Sequence, residues 1–435
     1  MHKVRIAQAQ ASFRDVVLDH PLRLAGASVD RFTLAVVQVR AEGPGGPVAG
    51  TGASVLSVPW SWPRSDLSWQ ARDAVLRDLA ATLCASAATR PPGDPFALFD
   101  HLATVAGGAA PEVPALARSL ALGAVDNAVH DAWSRAADLP AALVNADLLN
   151  ADLGATADRG ARSAGPEGAG GRYARARGRG ARPVGQHAAR GRYARARATP
   201  DGGATLEVQH VAGVGDPLDE LREWLVRDGI RHVKVKLSGR DPREDAARVV
   251  EVHRVLRASV PGRISLSLDP NEGYATPADA TRMIEHLAAA EAFADVGYME
   301  QPVPRDSAPD PGAMRELCAL LPVLADEGLA GVGDLDRLAA EGWAGLVVKA
   351  ARGQSLALRS WEYAVTRGMF VVVQDLTAVD LALAHSARLA ATLPLSWRAF
   401  ECNSRQYAPH ANAALPFMDV TDGLITLGPP TPGIV

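Results

Sequence analysis

Eight short apolar runs, separated by segments with the helical period, dominate the C-terminal half of this chain: Thr205–Val211, His232–Lys236, Ser265–Asp269, Val296–Glu300, Leu321–Asp326, Leu346–Lys349, Met369–Asp375 and Ala399–Glu401. Such alternation predicts repeated strand–helix units around a parallel sheet. The strand ends fall near His210, Lys236, Asp269, Glu300, Asp326, Lys349, Asp375 and Glu401. From Lys236 to Lys349 successive ends lie between 23 and 33 residues apart, against about 31 per unit in an eight-unit barrel of roughly 250 residues. Eight strands close a barrel. The charged tips then lie on its C-terminal rim, where barrel active sites collect.

The first 57 residues alternate differently. Val4–Ala7, Phe32–Val39 and Gly52–Val58 read as strands of an antiparallel meander, with the turn Gly43–Pro47 between the last two. A helix begins at Ser65, with Ser or Asp as its cap, and runs through Cys84; Pro111–Leu139 supplies one or two more. Residues 1–150 therefore read as an α+β domain and 204–408 as the barrel, with the Pro/Gly-rich tail 409–435 packing back on the first domain.

Residues 151–203 fit neither pattern. Gly-Arg-Tyr-Ala-Arg-Ala-Arg occurs at 171–177 and again at 191–197, and apart from alanine the only bulky apolar residues between Arg159 and Arg197 are Tyr173, Val184 and Tyr193. Such a stretch buries too little surface to offset its ordering entropy. It reads either as a flexible insertion or as the product of a local shift of reading frame in a GC-rich gene. Between Arg159 and Arg197 eleven arginines face the single acid Glu167, inside a chain of net charge −4. Arginine interleaved with tyrosine suits RNA or single-stranded DNA, but no RNA-binding fold surrounds it, and nucleic acid is the less favoured partner.

With 435 residues, 48% of them apolar, the chain can bury a large core. No apolar run approaches the roughly 18 residues of a membrane span, and Met1–Arg5 lacks a signal-peptide apolar block, so a cytoplasmic protein without a membrane partner is expected. Cys84, Cys318 and Cys402 form no CxxC pair and read as core residues.

The tips carry the chemistry. Asp269, Glu300 and Asp326 end three successive strands, so a barrel brings their carboxylates toward one point. Carboxylates that close repel, and a hard divalent cation, Mg²⁺ with Mn²⁺ as the alternative, compensates them. Lys234 and Lys236 are two apart on one strand and face the interior together. Two adjacent buried ammoniums predict a lowered pKa for one of them, as suits a general base. Lys349 ends the sixth strand, across the barrel from the second, which puts a lysine on each face of a substrate held at the metal. Asn271 is placed to hydrogen-bond Lys236 or the substrate, and Glu327 to support a lysine.

The ordered set Lys234-x-Lys236, Asp269-x-Asn271, Glu300, Asp326-Glu327 and Lys349 resembles the enolase superfamily, and within it the muconate-lactonizing-enzyme subgroup of the mandelate racemase/muconate lactonizing enzyme family. Leu122–Ser134 looks like the helix that ends that family's capping domain. The resemblance implies an α/β fold, a modified TIM barrel (β/α)7β with an N-terminal α+β capping domain. It also implies an Mg²⁺-dependent homo-oligomeric enzyme that abstracts a proton alpha to the carboxylate of a small molecule, through an enediolate. Lys236 would be the base, Lys234 its electrostatic neighbour and Lys349 the acid or base on the opposite face, with Asp269, Glu300 and Asp326 on the metal and Asp375 and Glu401 in support.

Two departures narrow the activity. Gln374-Asp375 stands where the mandelate-racemase subgroup has a histidine, and Glu401-Cys402-Asn403 where dipeptide epimerases carry an Asp-x-Asp pair; both count against those activities. Muconate cycloisomerisation, acyl-amino-acid racemisation and dehydration of a hydroxy acid stay open. Lysines on both faces favour an isomerase over a lyase; a non-catalytic barrel binding nucleic acid through the arginine segment is the reading of another class. In the family the cap loops close over the site and choose the substrate. Here these are His20–Val29 and Val58–Trp62, whose tryptophans suit either substrate contact or ordinary packing.

Overall fold

The N-terminal meander is a three-stranded antiparallel sheet in the order β1 (Arg5–Arg23), β2 (Ser28–Gly43), β3 (Gly46–Leu56). β1 runs far past the apolar stretch that announced it, because its backbone pairs with β2 from Arg5↔Glu42 to Arg23↔Ser28, whatever the polarity of the side chains. The helices α1 (Val58–Ser61), α2 (Trp69–Ala87), α3 (Pro95–Ala109) and α4 (Ala115–Ala136) follow. Ser68 caps α2 by accepting from the Ala71 amide, three residues beyond the serine at which the sequence pattern began. This computed structural model describes residues 3–24, 28–139 and 193–433. Most of the arginine-rich stretch, and with it the nucleic-acid reading, lies outside the described residues.

α4 is buried on every face from Ser119 to Ser134, which its many small and apolar residues permit, its polar Asp126 and Asn127 being hydrogen-bonded. It lies so close to β3 that a Cβ on Gly52 would fall 2.1 Å from the Ala128 amide nitrogen and one on Gly50 2.4 Å from the Ala128 carbonyl.

After β4 (Arg197–Ala198), the barrel is built from β5 (Ala204–Ala212), α5 (Leu218–Asp228), β6 (His232–Lys236), α6 (Pro242–Ser259), β7 (Ser265–Asp269), α7 (Pro277–Ala288), β8 (Val296–Glu300), α8 (Pro311–Leu320), β9 (Val323–Ala325), α9 (Asp334–Ala340), β10 (Gly345–Val348), α10 (Gln354–Thr366), β11 (Phe370–Val373), α11 (Asp380–Thr392) and β12 (Ala399–Glu401). Eight parallel strands lie in the order β11-β10-β9-β8-β7-β6-β5-β12. No ladder joins β11 to β12. Ser396 bridges them instead: its amide donates to the Val371 carbonyl at 3.0 Å and its Oγ accepts from the Val371 amide at 3.0 Å. Tyr298, Leu324, Val347, Phe370, Val372, Trp397 and Ala399 form one apolar cluster within the strands.

The tail divides. β13 (Leu424–Leu427) lies antiparallel on Ala204–Glu207, which precedes the pairing of β5 with β6 and meets the pairing with β12 only at Glu207, so the tail covers the start of β5. The tail reaches the cap at both ends: His410 Nδ1 lies 3.2 Å from Asp19 Oδ1 on β1, and the Gly433 amide donates to the Leu139 carbonyl. Among the described residues no helix is long and apolar enough to cross a membrane.

Cap and barrel meet at the start of α10, whose own N-cap residue, Gly353, has no side chain to offer. The cap helix α4 supplies the missing acceptors: Asn127 Oδ1 takes the Gln354 amide at 2.9 Å and Asp126 Oδ2 the Ser355 amide at 2.7 Å. Asn127 Nδ2 donates to the carbonyls of Ala53 and Ala350, so one side chain ties β3 to the barrel. His385 Nε2 lies 2.7 Å from Gln354 Oε1 in the same contact, and burial holds its imidazole down to about 3.

Two outcomes follow from this packing. Gly52→Ala lowers the unfolding free energy by about 1–3 kcal/mol through overpacking, whereas Gly45→Ala, with nothing near its added methyl, changes it by less than about 0.5 kcal/mol; urea midpoints measure both. For His385, the unfolded chain takes up a proton below the ordinary imidazole pKa of about 6.5 that the folded chain refuses, so its contribution is complete above that pH and is lost as pH falls toward the folded value. The stability gap between wild type and His385→Gln therefore narrows from about pH 8 to about pH 5.

Candidate active site

Six carboxylates and four cations are buried at the C-terminal ends of the barrel strands: Asp269, Glu300, Asp326, Glu327, Asp375 and Glu401 against Lys234, Lys236, Lys349 and Arg352. Lys234 Nζ, on β6, sits 3.0 Å from Glu300 Oε1, donates also to Glu401, and lies 3.8 Å from Asp269 Oδ2. Lys236 Nζ, two residues on and on the same side of the strand, donates to Asp269 Oδ2 at 2.5 Å and to Asn271 Oδ1 at 3.0 Å. Lys349 Nζ donates to Asp326 Oδ2, and lies 4.6 Å from the centre of the Trp60 ring.

Asn271 takes the lysine contact foreseen for it. Glu327 touches no lysine directly; its Oε1 accepts from Trp60 Nε1 at 2.9 Å and from Asn271 Nδ2 at 3.1 Å, and so it stands behind Lys236 through Asn271. Asp375 accepts from the Thr377 amide, and Glu401 accepts from Asn403 Nδ2 at 3.1 Å as well as from Lys234.

The expected lowered lysine pKa is not found. Burial alone would lower both, but Glu300, Glu401 and Asp269 hold Lys234 well above the usual lysine range, and Asp269 raises Lys236. The strain of the cluster lies on the acids. Burial, reinforced by Asp269, Glu401 and Asp326 against the pull of Lys234, pushes Glu300 up to about 8. Burial, with Asp326, Glu272 and Asp269 adding to it, pushes Glu327 up to about 7; burial and then Glu401 raise Asp375 well above the carboxylate range.

Lys236, Lys349, Asp269, Asn271, Asp326, Glu401 and Asn403 line one cleft of about 470 Å³, open space toward solvent included. Glu300 lies beneath it, with Lys234 and Gln374 donating to its oxygens. Of the cap segments singled out, Leu22, Leu24, Val29 and Trp60 line the cleft, whereas His20 stacks on Tyr407 and Trp62 packs in the cap core.

The lysines stand between the carboxylates, so no three His, Cys, Asp or Glu side chains among the described residues gather as a ready metal cluster. The donor set nevertheless fits a hard dication. It is all oxygen, it carries two more carboxylates than cations, and buried Glu327 Oε2 and Asp375 Oδ2 have no partner in the described protein. Asp269, Glu300 and Asp326 are the residues that would hold it.

The family model described as enolase C-terminal domain-like matches residues 216–434, half of the chain. The chain belongs to the enolase superfamily. An aromatic dipeptide epimerase of Herpetosiphon aurantiacus is 30% identical over 168 residues, 38% of this chain and 44% of that protein; the matched stretch thus spans less than half the length of the curated relatives. Among solved structures, a muconate lactonizing enzyme from Pseudomonas fluorescens complexed with muconolactone aligns with TM-score 0.64 at 19% identity, covering 99% of this chain and 95% of that one. A dipeptide epimerase from Enterococcus faecalis complexed with Mg and the dipeptide L-Leu-L-Tyr aligns with TM-score 0.65 at 17% identity, covering 98% of each chain. These structures share this superfamily member's fold, a capped barrel.

Several residues of the site escaped the sequence reading. Arg352 is 1% exposed and donates to the Asp326 and Val347 carbonyls at 2.6 Å; its place three residues after Lys349 was the available signal. Gln301 Oε1 accepts the amides of Asp326 and Gly328 and so shapes the turn that carries Asp326 and Glu327. Arg305 grips both carboxylate oxygens of Glu272 and also donates to the carbonyls of Trp60 and Ser61, clasping α1 to the barrel rim. Arg305→Met therefore speeds hydrogen exchange of the 58–62 amides by about tenfold or more, the loss of a charge-assisted bond, and leaves exchange in α4 unchanged.

Proposed function

We propose that this enolase-superfamily chain is an Mg²⁺-dependent isomerase of small carboxylic acids, a racemase, epimerase or cycloisomerase that removes the proton alpha to a carboxylate through an enediolate and returns a proton. One observation carries the reading: Lys236 and Lys349, from the second and sixth strands of an eight-strand ring, line the same cleft with Asp269 and Asp326. The epimerase named above, and the L-Ala-D/L-amino acid epimerase of Pedosphaera parvula, 29% identical over 160 residues, support an isomerase over a lyase.

Mg²⁺ held by Asp269, Glu300 and Asp326 would supply positive charge against the negative charge that grows on the substrate carboxylate as the α proton leaves. Lys236 Nζ, oriented by Asn271, would take that proton on one face as the neutral amine, a form favoured once Asp269, which raises its pKa, is turned to a cation. Lys349 Nζ serves the opposite face, donating to the planar intermediate or deprotonating the other enantiomer. Lys234, buried between Glu300 and Glu401, adds fixed positive charge beneath the reacting group. Trp60 and its apolar neighbours keep water from the enediolate.

Candidate acids incubated with the protein and Mg²⁺ in D₂O gain deuterium at the α carbon without losing water; a keto product would replace this reading with dehydration. Lys236→Ala slows that exchange by about 10²- to 10⁴-fold and still binds Mg²⁺ by calorimetry. An unchanged rate removes Lys236 from the role.

A further inference from the structure

A second concavity lies outside the catalytic cleft. A groove of about 1330 Å³, open space toward solvent included, runs between β1, α5 and the segment 405–419 that follows β12. The reaction proposed above uses none of its residues.

Arg405 lines this groove and is 8% exposed. Its Nη2 donates to Asp228 Oδ2 at 2.6 Å, while its Nε and Nη1 have no hydrogen-bond partner among the described residues. Neither nitrogen is sealed from solvent, so both open on the groove. Asp228 is shared: Arg227 also grips it, with Nε at 2.8 Å and Nη2 at 3.0 Å. Two guanidiniums therefore divide one buried carboxylate, and one positive charge is left over.

The rest of the lining narrows what that charge can hold. Leu415, Pro416 and Met418 form an apolar wall, and the Trp224 indole, with Arg227 lying 3.9 Å from its centre, adds an aromatic surface. The amides of Gln406 and Asn412 are already spent, the first on the Val211 backbone and His210, the second on the Asp380 amide and Ser404. Asp19, facing His410, and Asp419 stand on the same lining and disfavour a ligand carrying two negative charges.

Both sides of the groove continue into the cleft. Leu22 stands two residues past His20 and Asn403 two before Arg405, and both line the cleft, while His20 itself stacks on Tyr407 at 4.9 Å. We propose that the groove is a second binding site, for a small aromatic monocarboxylate, and that a molecule held there braces the cap hairpin against the barrel rim. The carboxylate takes the free N–H groups of Arg405 and the ring lies on the apolar wall.

Calorimetry with 2-naphthoate on the full chain with Mg²⁺ tests the site, and hydrogen exchange locates the ligand. 2-Naphthoate binds about tenfold or more tightly than the uncharged 2-naphthylmethanol, and it slows exchange of the amides at 18–24 and 404–407. Arg405→Gln weakens it by about tenfold or more, and so does Ala413→Glu, which sets a carboxylate on an exposed part of the lining. Ala413→Glu leaves the buried contacts of Arg405 in place and decides the matter should Arg405→Gln fail to fold. Equal binding of the alcohol, tighter binding of inorganic phosphate, or protection confined to the strand tips at 269–271 and 326–327 overturns the proposal. So does a dimer in sedimentation that Ala413→Glu splits, since the groove is then an interface between copies of the chain.

Discussion

Charge buried at the strand tips is the constraint from which the rest of this molecule follows. Ten ionisable side chains are sequestered at one end of a small barrel, and a buried charge is tolerable only beside an opposite one or with its hydrogen bonds complete. Each lysine accordingly faces a carboxylate contributed by another strand: Lys234 that of Glu300, Lys236 that of Asp269, Lys349 that of Asp326. Strand register, set by the alternation of apolar and charged positions, thereby becomes a condition of electrostatic balance, since a slip by one residue would turn the charges into the apolar layer.

The cap takes part in this balance. Trp60 supplies a donor to Glu327 and an aromatic face to Lys349, while α4 supplies the acceptors that the first turn of α10 lacks. The second contact satisfies amides that the barrel alone would leave unpaired, and the first adds a donor to a buried carboxylate that Asn271 alone would otherwise meet. The cap is thus part of the barrel's own hydrogen-bond accounting as well as a cover for the cleft.

How far the sequence disclosed this depends on the kind of relation. Strand tips were legible because each is local: an apolar run followed by a charge. The facing of Lys234 and Lys236 was legible for the same reason, and the lysine partner of Asn271 followed from its position two residues past a tip. Relations between distant segments were not. Glu327 meets Trp60 across 267 residues and Arg305 meets Trp60 across 245, and nothing local to either announces the other. The lysine pKa values went the opposite way because the sequence shows two adjacent ammoniums but hides the three carboxylates around them. The length of β1 was missed because backbone pairing, with no regard to side-chain polarity, extends it.

The seam between β11 and β12 has a mechanical meaning. Seven of the junctions around the ring are stitched by ladders, whereas this one has the two hydrogen bonds of Ser396 and the apolar packing of Phe370 and Val372 with Trp397 and Ala399. A hoop yields at its weakest stave, so changes in girth, from a swollen core or a bulkier guest, are taken up at Ser396. The remaining staves keep their spacing, and with it the lateral separation of Lys236 from Lys349.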